Sequence, residues 1–235
     1  LNQLTWKELV DSISAGSFSN PAVANVEKDS ITDNDGPGQL KGRNNAGNGW
    51  AWACAVVVAS TWNTELCYEQ GRIIGNESMW IGTSGWYGPG LDTHRSPLAG
   101  RNFEYYSQDG VQGGLIASAI IKGATDMGCH VYMKHAFLND QETNRLDMAT
   151  FVTEQAIREI YAKPFELSVK KGNANGMMAS FNLIGIESSL GYATVVQMYK
   201  NEWGFDGFSV TDMWGGSTSY ARASGWTGYA MARSF

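Results

Sequence analysis

Cysteine is scarce in this chain: Cys54, Cys67 and Cys129 are the three in 235 residues, and none stands at a CxxC or Cys/His zinc spacing. An odd number so placed argues against a disulfide framework or structural zinc, and buried small hydrophobes are the expected use. Basic residues are outnumbered, 17 Lys and Arg against 23 Asp and Glu, for a formal charge of −6 with no Lys/Arg run or stripe. Phosphate binding needs clustered cations, so nucleic acid is not an expected partner. No apolar run approaches the ~20 residues that cross a bilayer, so no membrane-spanning segment is expected. No positively charged segment followed by an apolar one opens the chain. Leu1 stands where a start methionine would be, and a processed or trimmed piece of a longer polypeptide is expected, with any targeting segment and the compartment out of view. Internal repeats and low-complexity tracts are missing too.

What is there is glycine and aromatic: 28 Gly, 9 Trp and 10 Tyr. This predicts many tight loops and an aromatic-rich surface or cleft, whose ring faces suit stacking on sugars or bases. Hydrophobic residues make up 43% and charged residues 17%, the balance of a globular chain able to bury a sizeable core.

Taken in order, Leu1 to Ser14 reads as a short amphipathic helix, with Thr5 as N-cap and Leu4, Leu9, Val10 and Ile13 as its apolar set. A linker follows, ending in Asp35-Gly36-Pro37-Gly38, where an acid sits in a turn. The apolar run Ala53–Ser60 reads as a strand, Thr64–Met79 as a helix, and Trp80–Trp86 as leading into a Gly/Pro-punctuated loop through Pro97. Asp109–Met127 reads as a helix, Cys129–Met133 as a strand ended by Lys134-His135, and Leu138–Arg145 as a polar loop. Phe151–Gly172 reads as a long helix broken or kinked at Pro164, Gly176–Phe181 as a strand and Leu190–Trp203 as a helix. Phe208–Thr211 is a last strand, stopping at Asp212. Strands near 55, 80, 130, 177 and 208 thus alternate with helices near 70, 117, 160 and 196. The pattern predicts an α/β fold, one parallel sheet with helices outside, as a single TIM-barrel-like (β/α) domain over residues 1–235, irregular or incomplete beside eight strands.

In such a fold the C-terminal strand ends form one rim, which collects Asp35, Arg101, Lys134, His135 and Asp212. Each has an ordinary structural use: Asp212 as a cap, Asp35 as a turn former, His135 as a core histidine bonded to a carbonyl. A metal centre on His94, His130 and His135 finds no support in their spacing.

Four ordered motifs, GRNFEYYSQD, MKHAFLNDQETNR, MMASFNLIG and NEWGFDGFSVTD, resemble the catalytic domain of glycoside hydrolase family 3 in its β-glucosidase branch. DGP at Asp35, ASTWNTEL at Ala59 and GPGLDTHRSPLAGRNFE at Gly88 extend the resemblance to nearly the whole chain. It implies hydrolysis of terminal non-reducing β-D-glycosidic bonds with retention, through a covalent glycosyl-enzyme on Asp212, and without metal or cofactor. It implies that Asp35, Arg101, Lys134 and His135 contact the terminal sugar of an oligosaccharide or β-glucoside, that Arg145 and Met178 line the subsite, and that Trp214 stands one place after the family's usual aromatic. Phe181 stands where many relatives carry Tyr. In that branch the general acid/base is a Glu on a following C-terminal domain, which the resemblance implies is absent from this chain; Glu104, Glu142 and Asp140 are the local carboxylates that would have to substitute. A sugar-binding domain without turnover, and a β-xylosidase within the family, are the alternative functions.

Overall fold

In a computed structural model of the protein the described residues are 3–14, 18–42, 47–146 and 148–212, so Trp214 lies outside them. Helix α1 (Trp6–Ser14) opens on the expected Thr5 cap. The Glu8 amide donates to Thr5 Oγ1 at 3.2 Å while Glu8 Oε2 accepts the Thr5 amide at 2.8 Å, a reciprocal box that satisfies two otherwise unpaired donors.

Strand β1 (Ser19–Asn20) pairs antiparallel with β2 (Ile31–Asp35), and β2 pairs in parallel with β3 (Gly85–Tyr87). Strand β2 corrects the sequence reading, which places a linker and turn there. Its Ile-Thr-Asp-Asn-Asp sequence lacks an apolar alternation, yet Asp33 and Asn34 are each only 2% exposed. For Asp33, partners distant in sequence offset part of that burial: its Oδ2 accepts from the Tyr132 hydroxyl at 3.1 Å and from Asn20 Nδ2 at 3.2 Å.

The strand expected near residue 55 is instead helix α2 (Ala55–Ala59). The Cys54 carbonyl accepts the amides of Val57 and Val58, and the Ser60 and Thr61 hydroxyls fold back onto the Val56 and Val58 carbonyls at 2.7 Å. These local bonds close a turn and turn Val57 outward, where it is 55% exposed. Cys54, at the head of this surface helix, is exposed, against the expected burial; Cys67 and Cys129 are buried, and all three thiols are free.

Helix α3 (Thr64–Ile81) starts on Asn63, whose Oδ1 accepts the Leu66 amide at 2.9 Å, and ends at Gly82 in the left-handed region, φ 74°. Helix α4 (Gly110–Asp126) starts on Asp109, which accepts the Val111 and Gln112 amides at 2.7 and 3.2 Å. Strand β4 (His130–Ala136) runs on through Lys134 and His135. After β5 (Ala149–Thr150), the helix expected over 151–172 begins only at Glu154 and is broken just ahead of Pro164, as expected: α5 (Glu154–Ala156) passes into a π-turn (Ile157–Tyr161), and α6 (Lys163–Gly172) begins afresh with Pro164 in its first turn, where a missing amide costs nothing. Strands β6 (Gly176–Ala179), β7 (Leu183–Ile184) and β8 (Glu187–Ser188) follow, then α7 (Ala193–Val196), continued as a π-helix over Gln197–Glu202, and β9 (Phe208–Val210).

The main sheet has the order β1-β2-β3-β4-β6-β9, parallel from β2 onward, and β5-β7-β8 form a small second sheet. Neighbours follow chain order without reversal, so the sheet winds one way and curls as half of a barrel, the TIM-barrel-like α/β class expected. Ile116, Ile120 and Ile121 of α4 and Phe165 of α6 join Val131 and Met133 of β4 and Met177 of β6 in one core. Several glycines serve this packing instead of loops: a Cβ on Gly71 of α3 would meet the Ile120 carbonyl oxygen at 2.0 Å, and one on Gly123 of α4 would meet the Tyr68 oxygen at 2.1 Å.

Candidate active site

Three C-terminal strand ends meet on one rim: Asp35 closes β2, Lys134 and His135 lie near the end of β4, and Asp212 follows β9 by two residues. Asp212 takes a left-handed turn, φ 66°, a region Asp tolerates better than most residues. The loop after β3 lies flush along β4, with the Leu91 amide on the Lys134 carbonyl at 2.6 Å and the Lys134 amide on the Pro89 carbonyl at 3.0 Å. This close backbone pairing delivers Asp92, and further on Arg101 and Glu104, to the same rim.

Lys134, 3% exposed, is the hub. Its Nζ lies 2.8 Å from Asp35 Oδ1 and 3.3 Å from Glu104 Oε1. Glu104 Oε2 in turn takes Arg101 through Nε at 2.8 Å and Nη2 at 2.7 Å. Arg101 reaches Glu142 at 3.7 Å, Glu142 reaches Arg145 at 3.3 Å, and the Arg145 guanidinium lies 4.6 Å over the Phe181 ring. Alternating charges therefore run without a gap from Asp35 to Arg145, so each buried charge has a counter-charge within reach.

Burial acts to raise the Asp35 carboxyl, but Lys134, the Gly36 amide and Arg101 outweigh it and hold the group below its ordinary range. Burial likewise opposes the Arg101 charge, and Tyr105, Glu104 and Glu142 more than restore it. His135 goes the other way: burial, then the cations Lys134, Arg101 and Arg145, push it well below its ordinary value, leaving the ring neutral at pH 7. Its Nε2 lies 3.8 Å from Asp212 Oδ2, longer than a hydrogen bond and, with a neutral ring, no ion pair.

Asp92, Tyr105 and Asn139 also belong to the site and were missed by sequence reasoning. Asp92 is fully enclosed; its Oδ2 accepts the His135 amide at 2.9 Å and its Oδ1 the Asn139 amide at 3.0 Å. Burial, and then Asp140, drive it up to about 7 against those two bonds. The Tyr105 hydroxyl bridges His135 Nδ1 at 3.1 Å and Asn139 Nδ2 at 2.9 Å. Asp92 sits in a Gly/Pro-rich stretch that reads only as a loop, and nothing in the sequence pairs it with residues some 45 positions on.

The remaining sequence candidates divide. Met178 is buried on β6 in register with Val210 of β9, two residues before Asp212. Asp140 is raised to about 6, burial outweighing Arg95. His94 is spent on the Tyr105 carbonyl at 2.7 Å, and His130 opens β4 four residues before Lys134, so the three histidines do not converge. Among the described residues no group of three or more His, Cys, Asp or Glu side chains is arranged to hold a metal ion.

The chain is 36% identical to probable β-glucosidase I of Aspergillus clavatus in an alignment 248 positions long, covering 99% of this chain and 30% of that protein. It is 38% identical over 171 residues to β-glucosidase A of Butyrivibrio fibrisolvens, covering 72% and 21%. Among solved structures, β-glucosidase 3B of Thermotoga neapolitana in complex with α-D-glucose superposes with a TM-score of 0.80 at 33% identity, over 88% of this chain and 32% of that one. The β-glucosidase of Kluyveromyces marxianus in complex with glucose superposes with a TM-score of 0.84 at 27% identity, over 90% and 26%. The chain therefore spans about a third or less of the length of these relatives. The glycosyl hydrolase family 3 N-terminal domain matches residues 37–227, and on that match the chain belongs to glycosyl hydrolase family 3.

Proposed function

We propose that this chain carries the sugar-binding and nucleophile half of a retaining β-glucosidase acting on terminal non-reducing β-D-glucosides. The observation that carries the reading is the rim itself: an acid at a strand end, Asp212, stands 3.8 Å from a neutral buried imidazole and beside an unbroken chain of acids and cations beginning at Asp35. A sugar presents only neutral hydroxyls, and charged partners make stronger hydrogen bonds to them than neutral ones do. Asp35 would accept from hydroxyls of the terminal sugar, Lys134 and Arg101 would donate, and Arg145 with Met178 would line the pocket. The Asp212 carboxylate would attack the anomeric carbon, forming a glycosyl ester as the leaving oxygen departs with a proton; water then cleaves the ester with net retention.

That scheme needs a general acid about 5 Å from the nucleophile. Glu104 is engaged by Arg101 and Lys134, and Glu142 by Arg101, Arg145 and Asn139, so both carboxylates are taken up within the charge chain. We assign the acid to a further domain of the complete protein, in keeping with relatives about three times as long. The names of the relatives, and glucose in two of the solved structures, favour glucose over xylose and turnover over binding alone.

In the complete gene product, Asp212→Asn should lower hydrolysis of an aryl β-glucoside by roughly a thousandfold or more while the protein stays folded. Undiminished turnover in that variant overturns the assignment.

A further inference from the structure

We propose that Tyr105, itself held by Asn139, is a positioning residue that keeps the proton of the His135 ring on Nε2, the nitrogen that faces Asp212. The functional meaning of this inference rests on the reading of the site above; the proton's location does not.

The argument begins at Asn139. Its side-chain atom 2.9 Å from the Tyr105 hydroxyl is also 3.1 Å from Glu142 Oε1. A carboxylate only accepts, so that atom is the amide nitrogen, and it donates to both oxygens. The Tyr105 oxygen thus receives one hydrogen and has one of its own to place. Tyr105 is 1% exposed, so leaving that hydrogen unpaired is costly. Within hydrogen-bond reach among the described residues it has His135 Nδ1, at 3.1 Å. Donation there requires a lone pair on Nδ1, and a neutral imidazole with a lone pair on Nδ1 carries its hydrogen on Nε2.

The competing arrangement, a hydrogen on Nδ1, has two places to go and neither serves. Toward Tyr105 it would leave the hydroxyl hydrogen unplaced. Toward Asp92 the separation is 3.6 Å, beyond hydrogen-bond reach, and the Asp92 carboxyl is held in place by the backbone amides of His135 and Asn139. Asp92 therefore positions the backbone of His135, while Tyr105 chooses which ring nitrogen is protonated.

The outcome is a neutral N–H, not a lone pair, on the nitrogen that lies 3.8 Å from Asp212 Oδ2. Such a donor attracts the carboxylate without being able to protonate it at neutral pH, and it is available to a hydroxyl bound between the two. The opposite tautomer would set a lone pair against the carboxylate.

The test is ¹⁵N NMR of the complete gene product labelled at histidine, with the His135 resonances identified by their loss in His135→Gln. Wild type should show His135 protonated on Nε2 and bare on Nδ1. Tyr105→Phe, which keeps the ring and its packing, should show a mixture of the two tautomers and a fall in kcat/KM for an aryl β-glucoside of about tenfold, the effect of one lost hydrogen bond. A proton on Nδ1 in wild type overturns the proposal, as does a folded Tyr105→Phe whose His135 remains wholly Nε2-protonated. A protein with the expected tautomer but without glucosidase activity would uphold this inference and remove the proposed function instead.

Discussion

Lys134 shows how a single buried cation organises the rim. It bridges Asp35 at 2.8 Å and Glu104 at 3.3 Å from a strand position 3% exposed. Removing one partner of a buried ionic group leaves uncompensated charge, so Lys134→Met should cost about 3 kcal/mol in denaturant unfolding, the low end for such changes because Arg101 still serves Glu104. The same variant should raise the Asp35 pKa, since Lys134 is the strongest influence opposing burial there. A ¹³C-carboxyl titration reads that shift. Asp35 would then contribute less of the stability that a depressed carboxyl confers above its unfolded pKa and that is lost as pH falls through its folded pKa.

At the scale of elements, the contact of α3 with α4 depends on two glycines whose Cβ positions are occupied by backbone oxygens. A methyl at Gly71 would lie 2.0 Å from the Ile120 oxygen, part of a helix backbone that cannot swing aside as a side chain does. We expect Gly71→Ala to destabilise by about 3 kcal/mol, at the upper end of overpacking. Gly38→Ala, where a Cβ meets nothing within 4 Å and φ is not positive, should stay within about 0.5 kcal/mol of wild type. The Asp109 cap on α4 makes a smaller, separable contribution: Asp109→Ala should cost about 1 kcal/mol, read from the shift of the urea midpoint.

For the whole molecule, the buried acid Asp92 links stability to pH. Its pKa rises from 3.8 to about 7 on folding, so between those values the folded state holds more protons than the unfolded state. Stability from this group therefore falls as pH rises through that window. His130 acts oppositely: lowered by burial from 6.5 to about 4, it makes stability rise with pH between those values. The two slopes oppose one another, so the wild-type curve alone does not separate them. Asp92→Asn cannot ionise; its stability deficit relative to wild type should be smaller at pH 7.5 than at pH 4.5, measured by chemical unfolding at both. A deficit independent of pH would show that folding does not raise the Asp92 pKa.

Much was legible from order and pattern. The long helices over 64–81 and 110–126 declared themselves by apolar spacing, and β4, β6 and β9 by apolar runs ending in polar residues; the Asn63 and Asp109 caps were seen only in the structure. Family membership was legible too, because ordered motifs survive where individual contacts vary. Tertiary structure alone decided the rest. Strand β2 carries Asp33 inward, where Tyr132 and Asn20 bond its Oδ2, partners that no local pattern reveals. The apolar run at 55 coils because neighbouring hydroxyls close its turn and no strand pairs with it. The environment of His135 depends on Asp92, Tyr105 and Asn139, brought together by loops whose path is set by backbone pairing along β4. Periodicity reports which face of an element is apolar; which distant polar group will meet another is settled only when the chain closes on itself.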